Sequence, residues 1–159
     1  MGTHPETGRD ETEAERVDRN LEELLGELRV ALPGVQVLFA FLLVVPFNAG
    51  FPKVTEFQKT IYFVTLLCTL AASAFLIAPS MQHRIEFRRQ DKEYIVTTAN
   101  RMSIIGLSFL AVAMTGVVLL VTDFLFGATT TVVASVGVAL LFAVLWYAIP
   151  VRRRFGRDS

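Results

Sequence analysis

The charged residues of this 159-residue chain gather in clusters at 6–29, 53–59, 84–101 and 152–158, and the runs between them are overwhelmingly apolar. Those runs are long enough to cross a bilayer, whose ~30 Å core takes roughly 20 helical residues at about 1.5 Å of rise each. Nothing else in the sequence constrains the fold as strongly. Apolar residues make up 53% of the chain and charged residues 19%, too apolar a balance for an ordinary small soluble domain. The formal net charge is zero, so no affinity for nucleic acid or another polyanion is implied, and the information lies in where the charges stand.

Hydropathy predicts an all-α membrane protein: a four-helix transmembrane bundle over 33–150, with spans at about 33–48, 61–79, 102–122 and 131–149. Residues 1–11 read as a disordered tail and 151–159 as a basic one. The first loop carries Lys53 and Lys59, and the third carries no cation. The second loop carries Arg84, Arg88, Arg89, Lys92 and Arg101, and the C-terminal tail adds Arg152, Arg153, Arg154 and Arg157. The positive-inside rule then predicts a multi-pass protein of the cell membrane with both termini cytoplasmic. The first apolar run starts behind an acidic segment and no Ala-x-Ala site follows it, so it is expected to remain as an anchor.

Ahead of the first span, Leu21, Leu24, Leu25, Leu28 and Leu32 fall on one helical stripe, with Glu22, Glu23, Glu27 and Arg29 off it. Capping-box spacing recurs at Thr12 with Glu15 and at Asn20 with Glu23. This predicts an amphipathic cytoplasmic helix over 12–32, lying along the interface or packed on the other helices. A sharper alternative is a docking helix for a second protein or another subunit. Pro33 lacks an N–H and its ring crowds the carbonyl of Arg29, so a kink is expected to turn this helix into the membrane.

The central parts of the spans lack Asp, Glu, Lys, Arg and His. Ionisable groups at mid-depth mark proton relays and ion sites, and a proton-coupled antiporter normally keeps a carboxylate there. Asp123, at the outer end of the third span, is the nearest candidate, and its ordinary role is that of a helix-end residue. Gln36 either bonds to a neighbouring helix, lines a pore, or snorkels to the nearby interface. Thr65, Thr69 and Ser73, at four-residue spacing, read as a small packing face, with a hydroxyl-lined path as the alternative. His83, Arg84, Arg88 and Arg89 are expected to meet anionic lipid headgroups. Cys68 stands alone, and no nucleophile–base pair, phosphate loop or metal motif is legible. No enzyme, cofactor or metal is therefore expected.

The stretch LEELLGELRVALPGVQVLFAFLLVVPF at 21–47, with Phe51, Thr60-Ile61-Tyr62, Ile77-Ala78-Pro79 and His83-Arg84, resembles a family of small bacterial four-span membrane proteins. The shared pattern is LxELRVxxxGVQxLFAFLLxxPF. Members often carry Thr where this chain has Pro33. Some are labelled sodium:proton antiporters, which the resemblance alone brings in. It also keeps Glu27, Arg29 and Gln36 together at the membrane boundary, and a pairing of Glu27 with Arg84 or Arg88 is an expectation from it. The favoured function is a non-enzymatic membrane protein acting as a homo-oligomer or as an accessory subunit of an unknown membrane partner. The rival is a small ion or solute transporter or channel.

Overall fold

The computed structural model describes residues 13–86 and 92–148. The expected tails at 1–11 and 151–159, together with Arg88 and Arg89, lie outside those residues, as do the side chains of His83 and Arg84. Among the described residues the fold is helical throughout. It comprises α1 (Glu13–Val44), α2 (Glu56–Glu86), α3 (Lys92–Leu125) and α4 (Ala128–Ala143), the last running on into a π-helical turn at Val144–Ala148. Short 3-10 turns at Val45–Phe47 and Phe51–Lys53 connect α1 to α2. Four helical segments are long and apolar enough to cross a membrane, as the hydropathy predicts.

α1 does not break at Pro33. The sequence divides this region into an interfacial helix and a span, whereas the structure makes them one continuous helix of 32 residues with Pro33 inside it. Pro33 removes the bond to the Arg29 carbonyl. The helix continues because the apolar face on either side is the same face. Leu21, Leu28, Val35 and Leu42 recur every seven residues and are 7%, 4%, 0% and 5% exposed. The first turns pack through Leu21 on Ile95 and Ala99 of α3, with Leu24, Leu25 and Val96 around them. The leucine stripe thus meets a neighbouring helix over its whole length.

α2 starts at Glu56, earlier than the hydropathy boundary, because Thr55 and Gln58 form a capping box. The Gln58 N–H donates to Thr55 Oγ1 (3.2 Å), and the Thr55 N–H donates to Gln58 Oε1 (3.0 Å). Its buried face is Tyr62, Thr65, Thr69, Ala72, Leu76 and Pro79, an unbroken 3–4–3–4–3 spacing. The opposing face of α3 uses Ala99, Ser103, Gly106 and Ala113. This is the seam of a left-handed antiparallel pair. Lipid is as apolar as leucine, so helices in it are held by close packing rather than by escape from water. Two glycines permit that closeness. A Cβ on Gly106 would lie 2.8 Å from Leu76 Cγ, and one on Gly116 would collide with Thr65 Oγ1.

α1, α2 and α3 are in mutual contact, and the α2–α3 pair is the most extensive. Among the described residues α4 packs on α3 and approaches neither α1 nor α2. Its buried residues are Thr131 and Ser135. The expected four-helix bundle is therefore a three-helix unit with a fourth helix leaning on one of its members. The registers fix relative height. Gln58 meets Asp123, Thr65 meets Gly116 and Leu76 meets Gly106, while Tyr62 meets Leu42 and Tyr147 meets Ser108. α4 consequently ends level with Ser108. α3 extends from there back to Lys92, about 24 Å at 1.5 Å per residue, with α1 and α2 alongside as a three-helix stem.

Candidate functional site

At the end of the molecule that carries the α1–α2 and α3–α4 connections, polar groups converge on Gln58. Its Nε2 donates to Asp123 Oδ2 at 2.9 Å while its Oε1 caps the start of α2. One side chain thus ties the first connection to the last turn of α3. Asp123 is half-buried and stands inside α3 rather than in the turn, which is shortened to Phe126 and Gly127. Lys59 is paired with Glu56 at 2.6 Å, so the nearby cation is engaged within its own helix.

Two chain-end defects are repaired here. Leu42 is four residues before Pro46, which has no N–H to offer its carbonyl. The Tyr62 hydroxyl donates to that carbonyl at 2.9 Å and is buried there. Asn48 Nδ2 donates to the carbonyl of Val44 at 3.3 Å. Tyr62 also meets Phe51 edge to face, ring centroids 5.6 Å apart. Sequence reasoning picked out Tyr62 only as part of the family pattern and missed Gln58 and Thr55. Both signals were present: a Thr-x-x-Gln box, and a proline four residues after an apolar helix residue.

The hydroxyl row on α2 is buried against α3 and turned onto its own helix. Thr65 and Thr69 are buried and Ser73 is half-buried, because the seam follows three-four spacing and Ser73 falls off it. Thr69 donates to the Thr65 carbonyl at 2.8 Å, and Ser73 to the Thr69 carbonyl at 3.0 Å. Ser103, Thr115 and Thr122 make the same bond four residues back. Ser135 Oγ, on the buried face of α4, has no partner among the described residues.

Glu27, Arg29 and Gln36 do not converge on the interior. All three are exposed on the outer faces of α1, flanking the buried Leu28 and Val35. The expected partners of Glu27 in the second loop lie outside the described residues. The height of Gln36 along the molecule follows from the helices beside α1. Val35 lies midway between Leu28, which clusters with Leu76, and Leu42, which meets Tyr62. Gln36 therefore stands about 10 Å from the level of Arg29 and about 15 Å from that of Pro46. Those two levels are about 25 Å apart, close to the ~30 Å depth of a bilayer core. Its amide points away from the three-helix unit and makes no hydrogen bond among the described residues.

Because α4 does not reach α2, a groove of about 450 Å3 opens between α2, α3 and α4. Its walls include Val64, Val112, Leu119 and Phe142, and its hydroxyls are those of Thr65, Ser108, Thr115 and Tyr147. Tyr147, in the π-helical turn, hydrogen-bonds Ser108, which in turn donates to the Ile104 carbonyl at 2.7 Å. A smaller cavity of about 360 Å3, between the first connection and α3, is lined by Leu42, Phe51, Gln58, Tyr62 and Phe124. Among the described residues no three of His, Cys, Asp and Glu come together as a metal site would require.

The chain belongs to the family of unknown function DUF6328, whose model matches residues 10–150. Neither a curated protein nor a solved structure matches it.

Proposed function

With membership of that family as the premise, we propose that this is a non-enzymatic integral membrane protein of the cell membrane, both termini cytoplasmic, that works by assembling through α1 into a homo-oligomer. The observation that carries this reading is Gln36. A primary amide facing hydrocarbon at mid-depth forfeits up to four hydrogen bonds. A second copy presenting the same amide satisfies both, and such polar contacts hold transmembrane helices together by about 0.6–2 kcal/mol. A membrane partner with a matching amide would make the protein an accessory subunit by the same chemistry.

The rival transport reading draws on the groove beside α4. Weighing against it, Thr69, Ser73 and Thr115 spend their hydroxyls on their own backbone, and among the described residues no carboxylate stands level with Gln36. The stem beyond α4 gives an assembled protein a rigid surface outside the membrane on which a soluble partner can act.

Energy transfer between labelled copies in vesicles, across a series of protein-to-lipid ratios, tests the proposal. Gln36→Leu is expected to weaken association by about 3- to 30-fold, the equivalent of one interhelical amide contact. Unchanged association would refute the role of α1. Ion or solute flux above that of empty vesicles, abolished by Gln36→Leu, would refute the non-transport account.

A further inference from the structure

The groove between α2, α3 and α4 has the dimensions and the charge placement of a lipid site. Along α3 its lining runs from Ser108 to Leu119, about 17 Å at 1.5 Å per residue. One leaflet of a ~30 Å hydrocarbon core is about 15 Å deep. The walls are apolar save for hydroxyls, three of which stand in a row on the α3 side and at its end: Ser108, Thr115 and Tyr147. The groove is shallow enough to open to the lipid on its flank, since α4 touches α3 alone.

The two ends differ in charge. At the loop end the neighbouring ionisable groups are Asp123, Glu56 and Lys59, and Lys59 is already paired with Glu56. At the other end Arg101 precedes Ser108 by seven residues, which puts it on the same face of α3 about 10 Å beyond. Arg101 is exposed, and helical side chains lean toward the helix N-terminus, here out of the membrane. The π-helical turn at Val144–Ala148 aims Tyr147 at Ser108, and such turns recur at functional sites.

We propose that this groove holds one acyl chain of an anionic phospholipid, with the lipid's phosphate at its mouth against Arg101. The hydroxyl pair of Tyr147 and Ser108 lies where the glycerol and ester groups of that lipid pass from the interface into the groove. The occupant is a membrane lipid rather than free phosphate, because the volume to be filled lies wholly within the apolar depth. It is anionic because the mouth beside Ser108 carries a cation, the exposed Arg101. The site does not depend on self-association, since α1 takes no part in it.

Trp146 is the chain's one tryptophan, and it meets Phe142 of the groove wall at a centroid distance of 4.8 Å. Its fluorescence therefore reports a chain in the groove. The full chain is reconstituted in vesicles that mix phosphatidylcholine with phosphatidylglycerol, one of the two carrying brominated acyl chains that quench tryptophan. The wild type is expected to favour brominated phosphatidylglycerol about fivefold, the preference that one interfacial arginine gives. Arg101→Gln, which lies outside every packing seam described above, is expected to bring that preference close to one while leaving fold and total quenching unchanged. Ala139→Phe fills the groove from the exposed face of α4 and is expected to remove the preference too. Inorganic phosphate added to the vesicles is expected to compete weakly or not at all. Quenching without headgroup preference in the wild type would mean ordinary boundary lipid and overturn the proposal. So would a preference that survives Arg101→Gln. A cross-link joining Ala139→Cys in two copies would show a second chain in the groove and overturn it as well.

Discussion

Gly106 offers the most direct check on how α2 and α3 are held together. A Cβ at this position would stand 2.8 Å from Leu76 Cγ, 2.9 Å from Leu76 Cδ2 and 3.2 Å from the Leu76 backbone nitrogen. Ordinary carbon contacts are 3.5–4.0 Å, so two leucine atoms must retreat by nearly an ångström each. Leu76 is wholly buried and has nowhere easy to go. Gly106→Ala is therefore expected to cost about 1–3 kcal/mol by overpacking. Leu76→Ala costs about 2 kcal/mol, the low end for a buried leucine, because lipid takes up the apolar surface and only packing is lost. In the double variant the two clashing leucine carbons are gone, and the alanine methyl partly fills the space they leave. The double cost is expected to fall short of the sum of the single costs by about 1–2 kcal/mol, a coupling typical of touching residues. Equilibrium unfolding in mixed micelles of a mild detergent and sodium dodecyl sulfate, followed by circular dichroism, measures all four corners of the cycle. Gly137→Ala is the control. Nothing lies within 4 Å of its added methyl, so it is expected to be neutral or stabilising by up to about 1 kcal/mol. Costs of Gly106→Ala and Leu76→Ala that add to within about 0.5 kcal/mol would refute the close-contact account of the seam.

Other perturbations separate the remaining contacts. Tyr62→Phe strips the Leu42 carbonyl of its donor and is expected to cost about 1 kcal/mol in the same unfolding assay; no loss would mean that water reaches that carbonyl. Gln58→Ala breaks both the capping box and the bond to Asp123, with an expected loss of about 2 kcal/mol. Asp123→Asn keeps an acceptor for Gln58 and is expected to cost less than half as much. Leu21→Ala empties the stem's contact with Ile95 and Ala99, and hydrogen exchange is expected to quicken in the first turns of α1 while Val35 and its neighbours stay protected. Uniform acceleration along α1 would show that the stem and the span open together.

Much of the fold was legible because span length and charge placement depend on chain chemistry alone. The apolar runs at 61–79 and 102–122 fall within α2 and α3. Less was legible where one local rule competed with a longer pattern. Pro33 announces a helix boundary, yet the seven-residue recurrence of Leu21, Leu28, Val35 and Leu42 overrides it. Thr65, Thr69 and Ser73 suggest a four-residue row, yet a left-handed pair buries three-four spacing and turns Ser73 partly outward. Counting from Pro33 puts Gln36 near an interface, while the register with α2 sets its height between Arg29 and Pro46. The separation of α4 from α2 had no sequence signal, because an apolar helix reads the same whether it faces protein or lipid.

The unbroken register of α1 makes the helix a ruler as well as an anchor. Four contacts at seven-residue intervals are kept only if the distance between them is counted in whole heptads. One extra residue between Leu28 and Val35 rotates everything beyond it by about 100° and carries Val35 and Leu42 off the seam. Seven extra residues restore the angle but move the stem by about 10 Å along the axis relative to Val35 and Leu42. The two halves of α1 are thus geared to each other. The turn that sets Leu21 against α3 therefore also sets the direction in which Gln36 faces.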